Sequence, residues 1–210
     1  MFNLEHWLCL CEIAQSKITR PSYLYYKICT HYREPHRRYH NLAHIGEMLA
    51  NAIDCRRSAT NWVALELAIV FHDVIYDPRH EDNERQSTQF AKTHLEELGI
   101  EDTLIIETAT LIMATAHEQT SNDVDAQLIT DLDLLGFSKS YEEFIAQGER
   151  IRQEFSHVPE KQFRAGQIKI LQGFLDRPRI YSSPMFEGRE AVARANLTRA
   201  INNLQAVPAP

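Results

Sequence analysis

Four short stretches of the chain carry residues whose types and spacing could do chemistry. The first is Arg38-Tyr39-His40-Asn41-Leu42-Ala43-His44-Ile45. On a helix, His40 and His44 lie at i and i+4 and share a face. Two imidazoles on one face can share a metal, or one can hold the metal while the other moves a proton. Taken alone, the pair also reads as solvated surface histidines. The second stretch is Phe71-His72-Asp73, which ends the apolar run 65–71. Burying a His-Asp pair there is costly unless its charge is compensated. A divalent cation compensates it directly, through imidazole nitrogen and carboxylate oxygen. The other reading is that Asp73 starts a turn and His72 bonds to backbone. The third stretch is Thr130-Asp131-Leu132-Asp133-Leu134-Leu135. Ile129, Leu132 and Leu135 would face a core, which puts both carboxylates at its edge. The fourth is His117, at the end of the apolar run 112–116.

Other polar residues surround these. Tyr76-Asp77-Pro78-Arg79-His80-Glu81-Asp82-Asn83-Glu84 follows the doublet directly, and Pro78 bends the chain before the next helix opens. Asp77 or Glu84 could ligate a second cation or orient the attacking water. The acids here could equally serve the helix N-terminus. Arg38 and Asn41, beside the histidines, and Arg152 are candidates for binding a substrate phosphate, with an Arg152–Glu154 ion pair as the alternative for Arg152. The run Tyr23-Leu24-Tyr25-Tyr26 could wall a base-binding pocket or be ordinary core and interface.

The elements that must position these residues are helices. Apolar residues recur at intervals of three and four. Val63, Leu67, Val70, Phe71 and Val74 form one stripe, and Ile105, Ala109, Ile112, Met113 and Ala116 form another. Leu4, Leu8 and Cys11 suggest an opening helix, and Ala191, Ala195, Leu197 and Ile201 a closing one. Ser140 with Glu143 is a capping box before Phe144 and Ile151. Pro159 suits the first turn of a helix reaching about Leu175. Nine or ten helices, no certain strand and no internal repeat predict an all-α, multi-helix bundle. No linker argues for a split, so 1–206 reads as one domain and 207–210 as a frayed tail.

Composition bounds the function. The chain has 210 residues, 44% hydrophobic and 24% charged, with a net charge of −7. That balance excludes disorder as the main state and disfavours bulk nucleic-acid backbones or anionic membranes as partners. No apolar run reaches the ~18–20 residues of a membrane helix. Glu5 precedes the N-terminal apolar stretch, which lacks a basic region, so no signal peptide is expected. Cys9, Cys11, Cys29 and Cys55 form no CxxC pair, so free thiols in a reducing cytoplasm are expected. A homo-oligomer is left open.

Histidine, a His-Asp doublet and a distant aspartate, all on helices, resemble the HD superfamily of metal-dependent phosphohydrolases. Tyr39-His40-Asn41-Leu42-Ala43-His44 is similar to the YHNxxH segment of cyclic-nucleotide phosphodiesterases, a branch of that superfamily. RxYHNLxHI, FHDxIYDP, DNExxS, TxxH, a DxDLxxLG-like segment and IRxEF together resemble a bacterial group of HD phosphohydrolases over about residues 33–200. The HPGxxN stretch of the cyclic-nucleotide enzymes is lacking, Leu134 stands where many relatives have a basic residue, and Gln167 where an arginine is expected.

The resemblance implies an HD-domain-like bundle that hydrolyses a phosphate ester of a nucleotide or other small phosphorylated metabolite. It implies one or two divalent ions, Mn, Mg, Fe, Co or Ni, held by His44, His72, Asp73 and Asp133. Asp131 is the alternative to Asp133, and His117 matches a histidine some relatives use for a second metal or the phosphate. His40 matches the histidine that protonates the leaving oxygen. Two other classes compete: a di-iron oxygenase on the same ligands, and a non-catalytic nucleotide-sensing module.

Overall fold

In a computed structural model, residues 2–18, 21–118 and 121–206 are described, and they hold ten α-helices, three short 3-10 turns and no strand. The all-α prediction is met. The helices are α1 (Leu4–Ile13), α2 (Ser22–His31), α3 (Leu42–Ala52), α4 (Trp62–Phe71), α5 (Asn83–Glu97), α6 (Asp102–Ala114), α7 (Val124–Asp133), α8 (Tyr141–Glu154), α9 (Glu160–Leu175) and α10 (Glu190–Ala206). Among the described residues no helix is long and apolar enough to cross a membrane. The tail at 207–210 lies outside the described residues. Contacts divide the chain into two compact units, one running to Leu132 and one starting at Asp133.

The first unit is built around α4. Its residues Ala64, Leu65, Leu67, Ala68, Ile69, Val70 and Phe71 are all buried, and α1, α3, α5 and α6 pack against it. A helix apolar around its circumference belongs inside a core, so α4 carries no single stripe, contrary to the spacing of Val63, Leu67 and Val70. The helix also stops at Phe71, and Val74 is buried beyond its end. On α1 the buried face is Trp7, Leu10 and Cys11, while Leu8 is exposed. The large indole sets that face, with Nε1 donating to Pro21 O at 2.8 Å. On α6, Met113 is exposed and Ala116 lies past the helix end. The turn from α5 to α6 passes through Gly99 at φ 68°. Gly99 N–H bonds to Glu96 O and Ile100 N–H to Leu95 O, the pairing that needs a left-handed residue after a helix. The Lys17 side chain lies where a Cβ would stand.

Two caps fix the start of α4. Asn61 accepts from the N–H of Ala64. Asp125, in the first turn of α7, accepts from the N–H of Thr60 and of Asn61, both at 2.7 Å. A buried carboxylate therefore satisfies orphan donors at one helix end and ties α7 to it.

The second unit packs α10 against α9 and the 3-10 turn Leu134–Ser138. The predicted capping box of α8 is present, with Ser140 Oγ accepting from Glu143 N and the Glu143 carboxylate accepting from Ser140 N. Pro159 sits immediately before α9. The buried face of α10 is Ala193, Asn196, Leu197, Ala200 and Ile201, so Ala191 and Ala195 are exposed. Asn196 turns that face inward because its amide donates to Phe137 O and Lys139 O, both at 2.9 Å.

Asp125→Ala should lower the unfolding free energy by about 2–3 kcal/mol, the worth of charged hydrogen bonds to buried donors. Asp125→Asn, which keeps one acceptor oxygen, should cost less. Urea unfolding checks this. A loss within the ~0.5 kcal/mol of ordinary surface changes would show that the carboxylate does not hold α4.

Candidate metal centre

His44 stands in the first turn of α3 and is buried. Asn41 caps that helix, its Oδ1 accepting from Ala43 N–H at 2.8 Å, with extended backbone at φ −136°, ψ −176°. The cap ends the helix at Leu42, so His40 precedes it. The expected i, i+4 relation on one helix face does not exist. His40 nonetheless reaches His44, ring centroids 6.1 Å apart. It is held by Tyr76, on which it stacks at 4.2 Å, and by Tyr39, which meets it edge-on at 5.0 Å.

His72 and Asp73 follow the last residue of α4, both buried. His72 Nδ1 lies 2.9 Å from Ile69 O. A carbonyl only accepts, so Nδ1 donates to it and Nε2 is the nitrogen turned toward the carboxylate. His72 Nε2 lies 3.0 Å from Asp73 Oδ2, which is also 3.9 Å from His44 Nε2. Burial would push the Asp73 carboxyl up. The imidazoles of His72, His40 and His44 outweigh that and hold it well below the usual carboxylate range.

α7 supplies the remaining donor. His44, His72 and Asp133 each offer a ligand atom, and these lie within 4.8 Å of one another. Asp133 is the last residue of α7, whose preceding residues all belong to the first unit, so α7 places it. Asp125, at the other end of α7, is bonded to the start of α4. Asp131 is buried and lies near enough to Cys55 to help raise its thiol, which burial first and Asp54 next push up to about 11. Two imidazoles and two carboxylates are a mixed donor set suited to Mn, Fe, Co or Ni. The site fits a cation on a further ground. His72 Nε2 and Asp73 Oδ2, 3.0 Å apart in the interior, need one positive charge between them, which an imidazolium proton supplies and a bound cation can replace.

Arg37 completes the centre, and no catalytic pattern singles it out beyond its place in RxYHN. It is buried. Nη1 donates to His40 O at 3.1 Å and Asp73 O at 2.6 Å, Nη2 to Val74 O at 3.0 Å, and Nε to Glu34 at 3.0 Å. Its guanidinium lies over the rings of Tyr32 and Tyr76. One side chain thus binds the His40 segment to the turn of the doublet. The DNExxS segment holds the far side. Ser87 Oγ both accepts from Ile75 N–H and donates to Ile75 O, and Asn83 accepts from Asp77 N–H while donating to Asp77 O and His80 O. Tyr76, the ledge under His40, is fixed between these anchors.

The other candidates sit as follows. The Asp77 carboxylate accepts from Arg79 N–H in an exposed turn near His80, and that backbone bond draws its carboxyl down. Glu84 is half-buried in the first turn of α5, between Asn83 and Ser87. His117 follows α6 in a left-handed conformation, φ 56°, outside the His44–His72–Asp133 group. Arg38 is exposed. Asn41, besides capping, donates to Arg38 O. Arg152 belongs to the second unit, where it bonds Glu160, Phe155 O and Val158 O and lies over Phe163. Its guanidinium forms an ion pair with Glu160 at 2.8 Å. Tyr23 and Tyr26 are exposed, and Tyr25 packs against Phe2.

No family model matches the chain, and neither a curated protein nor a solved structure matches it. The geometry itself yields two expectations. His72→Ala and Asp73→Ala should abolish tight binding of Mn or Co in a titration while keeping most helical circular dichroism. Binding to the wild type should release protons and weaken as pH falls, since imidazole binds metal only when neutral. A wild type that binds no divalent ion would refute the centre. Separately, Arg37→Lys should cost about 2–4 kcal/mol in urea unfolding, because a single ammonium cannot serve carbonyls on two segments. A neutral outcome would mean the clamp is dispensable.

Proposed function

We propose that the chain is a metal-dependent phosphohydrolase of the HD type, cleaving a phosphate ester of a nucleotide or another small phosphorylated metabolite. The observation that carries this reading is the convergence of His44, His72 and Asp133 within 4.8 Å, with Asp73 Oδ2 against both imidazoles. The resemblance of the YHNxxH, HD and DxD segments to HD phosphohydrolases supports it. The four cysteines are free thiols, which suits a cytoplasmic setting.

His44, His72, Asp73 and Asp133 would hold the cation. When bound, it supplies Lewis-acid polarisation of a phosphoryl oxygen and acidifies a water toward neutrality. The chain does the rest. Ile69 O accepts from His72 Nδ1 and so turns Nε2 toward the cation position. Arg37 keeps the doublet and the His40 segment in register. His40 is half-buried and stacked on Tyr76, and it holds the proton that the departing ester oxygen takes up.

The loaded protein, screened with phosphate esters and nucleotides, should turn over at least one of them, and loss of turnover in His72→Ala should follow loss of metal. His40→Ala should keep the metal and lose about 10²–10⁴ in kcat on esters with poor leaving groups. The deficit should shrink for nitrophenyl phosphates, which leave without a proton. Equal deficits on both would give His40 to binding instead, and metal loss in His40→Ala would assign it to the ligand set.

A further inference from the structure

Away from this centre, α2 and α5 meet through a chain of polar side chains. Lys27 Nζ donates to His94 Nε2 at 3.0 Å. His94 Nδ1 donates to Glu97 Oε2 at 2.7 Å, and Tyr23 OH donates to the same oxygen at 3.1 Å. The roles are forced. An ammonium only donates and a carboxylate only accepts, so Nδ1 carries the ring proton and Nε2 the lone pair. His94 is 7% exposed, with its ring edge-on to Phe90 at 4.4 Å. Lys27 and Glu97 are open to solvent. The hydrogen bonds from His94 and Tyr23 hold the Glu97 carboxyl below its ordinary range, so it stays ionised. An exposed primary amine, a buried imidazole and an orienting carboxylate in line form the nucleophile–base–orienter arrangement of group-transfer sites.

We propose that Lys27 is a site of covalent acylation by an activated acyl donor, a thioester or an acyl phosphate, with His94 as base and Glu97 orienting it. The Lys27 ammonium first gives one proton to His94 Nε2, which passes it to solvent, and the lone pair of the amine so formed attacks the acyl carbon and forms the C–N bond. The C–S or C–O bond breaks, and thiolate or phosphate leaves with the bonding pair. Nitrogen bears a positive charge in the tetrahedral adduct and gives its surplus proton to His94 Nε2, which returns it to solvent. Losing that proton prevents collapse back to the amine, so a base already in hydrogen-bond contact raises the forward rate. Glu97 stabilises the imidazolium formed. The amide product is neutral and ends the cationic contact of Lys27 with the Phe90 ring, now 5.3 Å from Nζ.

The full chain is incubated with acetyl phosphate in one arm and acetyl-coenzyme A in another, and acetylation of each lysine is followed by peptide mass spectrometry. Exposed Lys161 and Lys169 on α9 are internal references. Lys27 should react about fivefold faster than either, or more, in at least one arm, a modest share of what a positioned base contributes. The arm showing the preference identifies the donor class. His94→Gln can still accept from Lys27 but cannot take up a proton, so it should bring Lys27 to the reference rate. If that variant fails to fold, Glu97→Gln, at an exposed position, should reduce the preference instead. A smaller preference in both arms overturns the proposal, as does one that survives these substitutions.

Discussion

His72 Nε2 and Asp73 Oδ2 stand 3.0 Å apart in the interior of the first unit, and the surrounding structure keeps them there. Burying such a pair carries a desolvation cost, which is met only when one positive charge, a ring proton or a cation, lies between the two atoms. The hydrophobic burial of α4 supplies the force that carries His72 inward, since every residue from Leu67 to Phe71 is buried. The Ile69 carbonyl then fixes which nitrogen faces the carboxylate. Local polar cost is thus met by non-local apolar packing, with the polar atoms aimed by two or three directional bonds.

Those directional bonds come from residues that touch backbone. Arg37 binds carbonyls on both sides of the centre, Ser87 and Asn83 hold the loop after the doublet, and Asp125 holds the start of α4. Because the partners in these bonds are main chain, the loops keep their paths whatever side chains they display. A segment of few apolar residues, such as 76–82, can then present Tyr76 under His40 without a core of its own.

The helices were legible in the sequence because spacing of apolar residues reports them directly. Which face is buried was less so: Trp7 and Asn196 reorient α1 and α10 through a hydrogen bond and a pair of them, and periodicity counts neither. The candidate ligand types were legible because imidazole and carboxylate among apolar residues are conspicuous. Their geometry was not. Asn41 before Leu42 was a readable cap signal, yet the HxxxH spacing suggested a continuous helix through it. Asp131 and Asp133 are about 200° apart around α7 at 3.6 residues per turn, so only tertiary placement separates them. Arg37 is invisible for a similar reason, since its partners are carbonyls 3, 36 and 37 residues away and carbonyls are the same in every residue. The Lys27–His94 contact spans 67 residues and leaves no local pattern.

The pinning of α7 at both ends makes that helix a ruler. Asp125 is tied at the start of α4 and Asp133 must arrive at its end. One residue inserted between them would advance the far carboxylate by ~1.5 Å and swing it by ~100°, off the centre altogether. Point changes on the outward side of α7 leave the ruler's length intact, whereas any change of length does not. Among descendants of this chain, the segment between these two aspartates should therefore drift freely in composition and hardly at all in residue number.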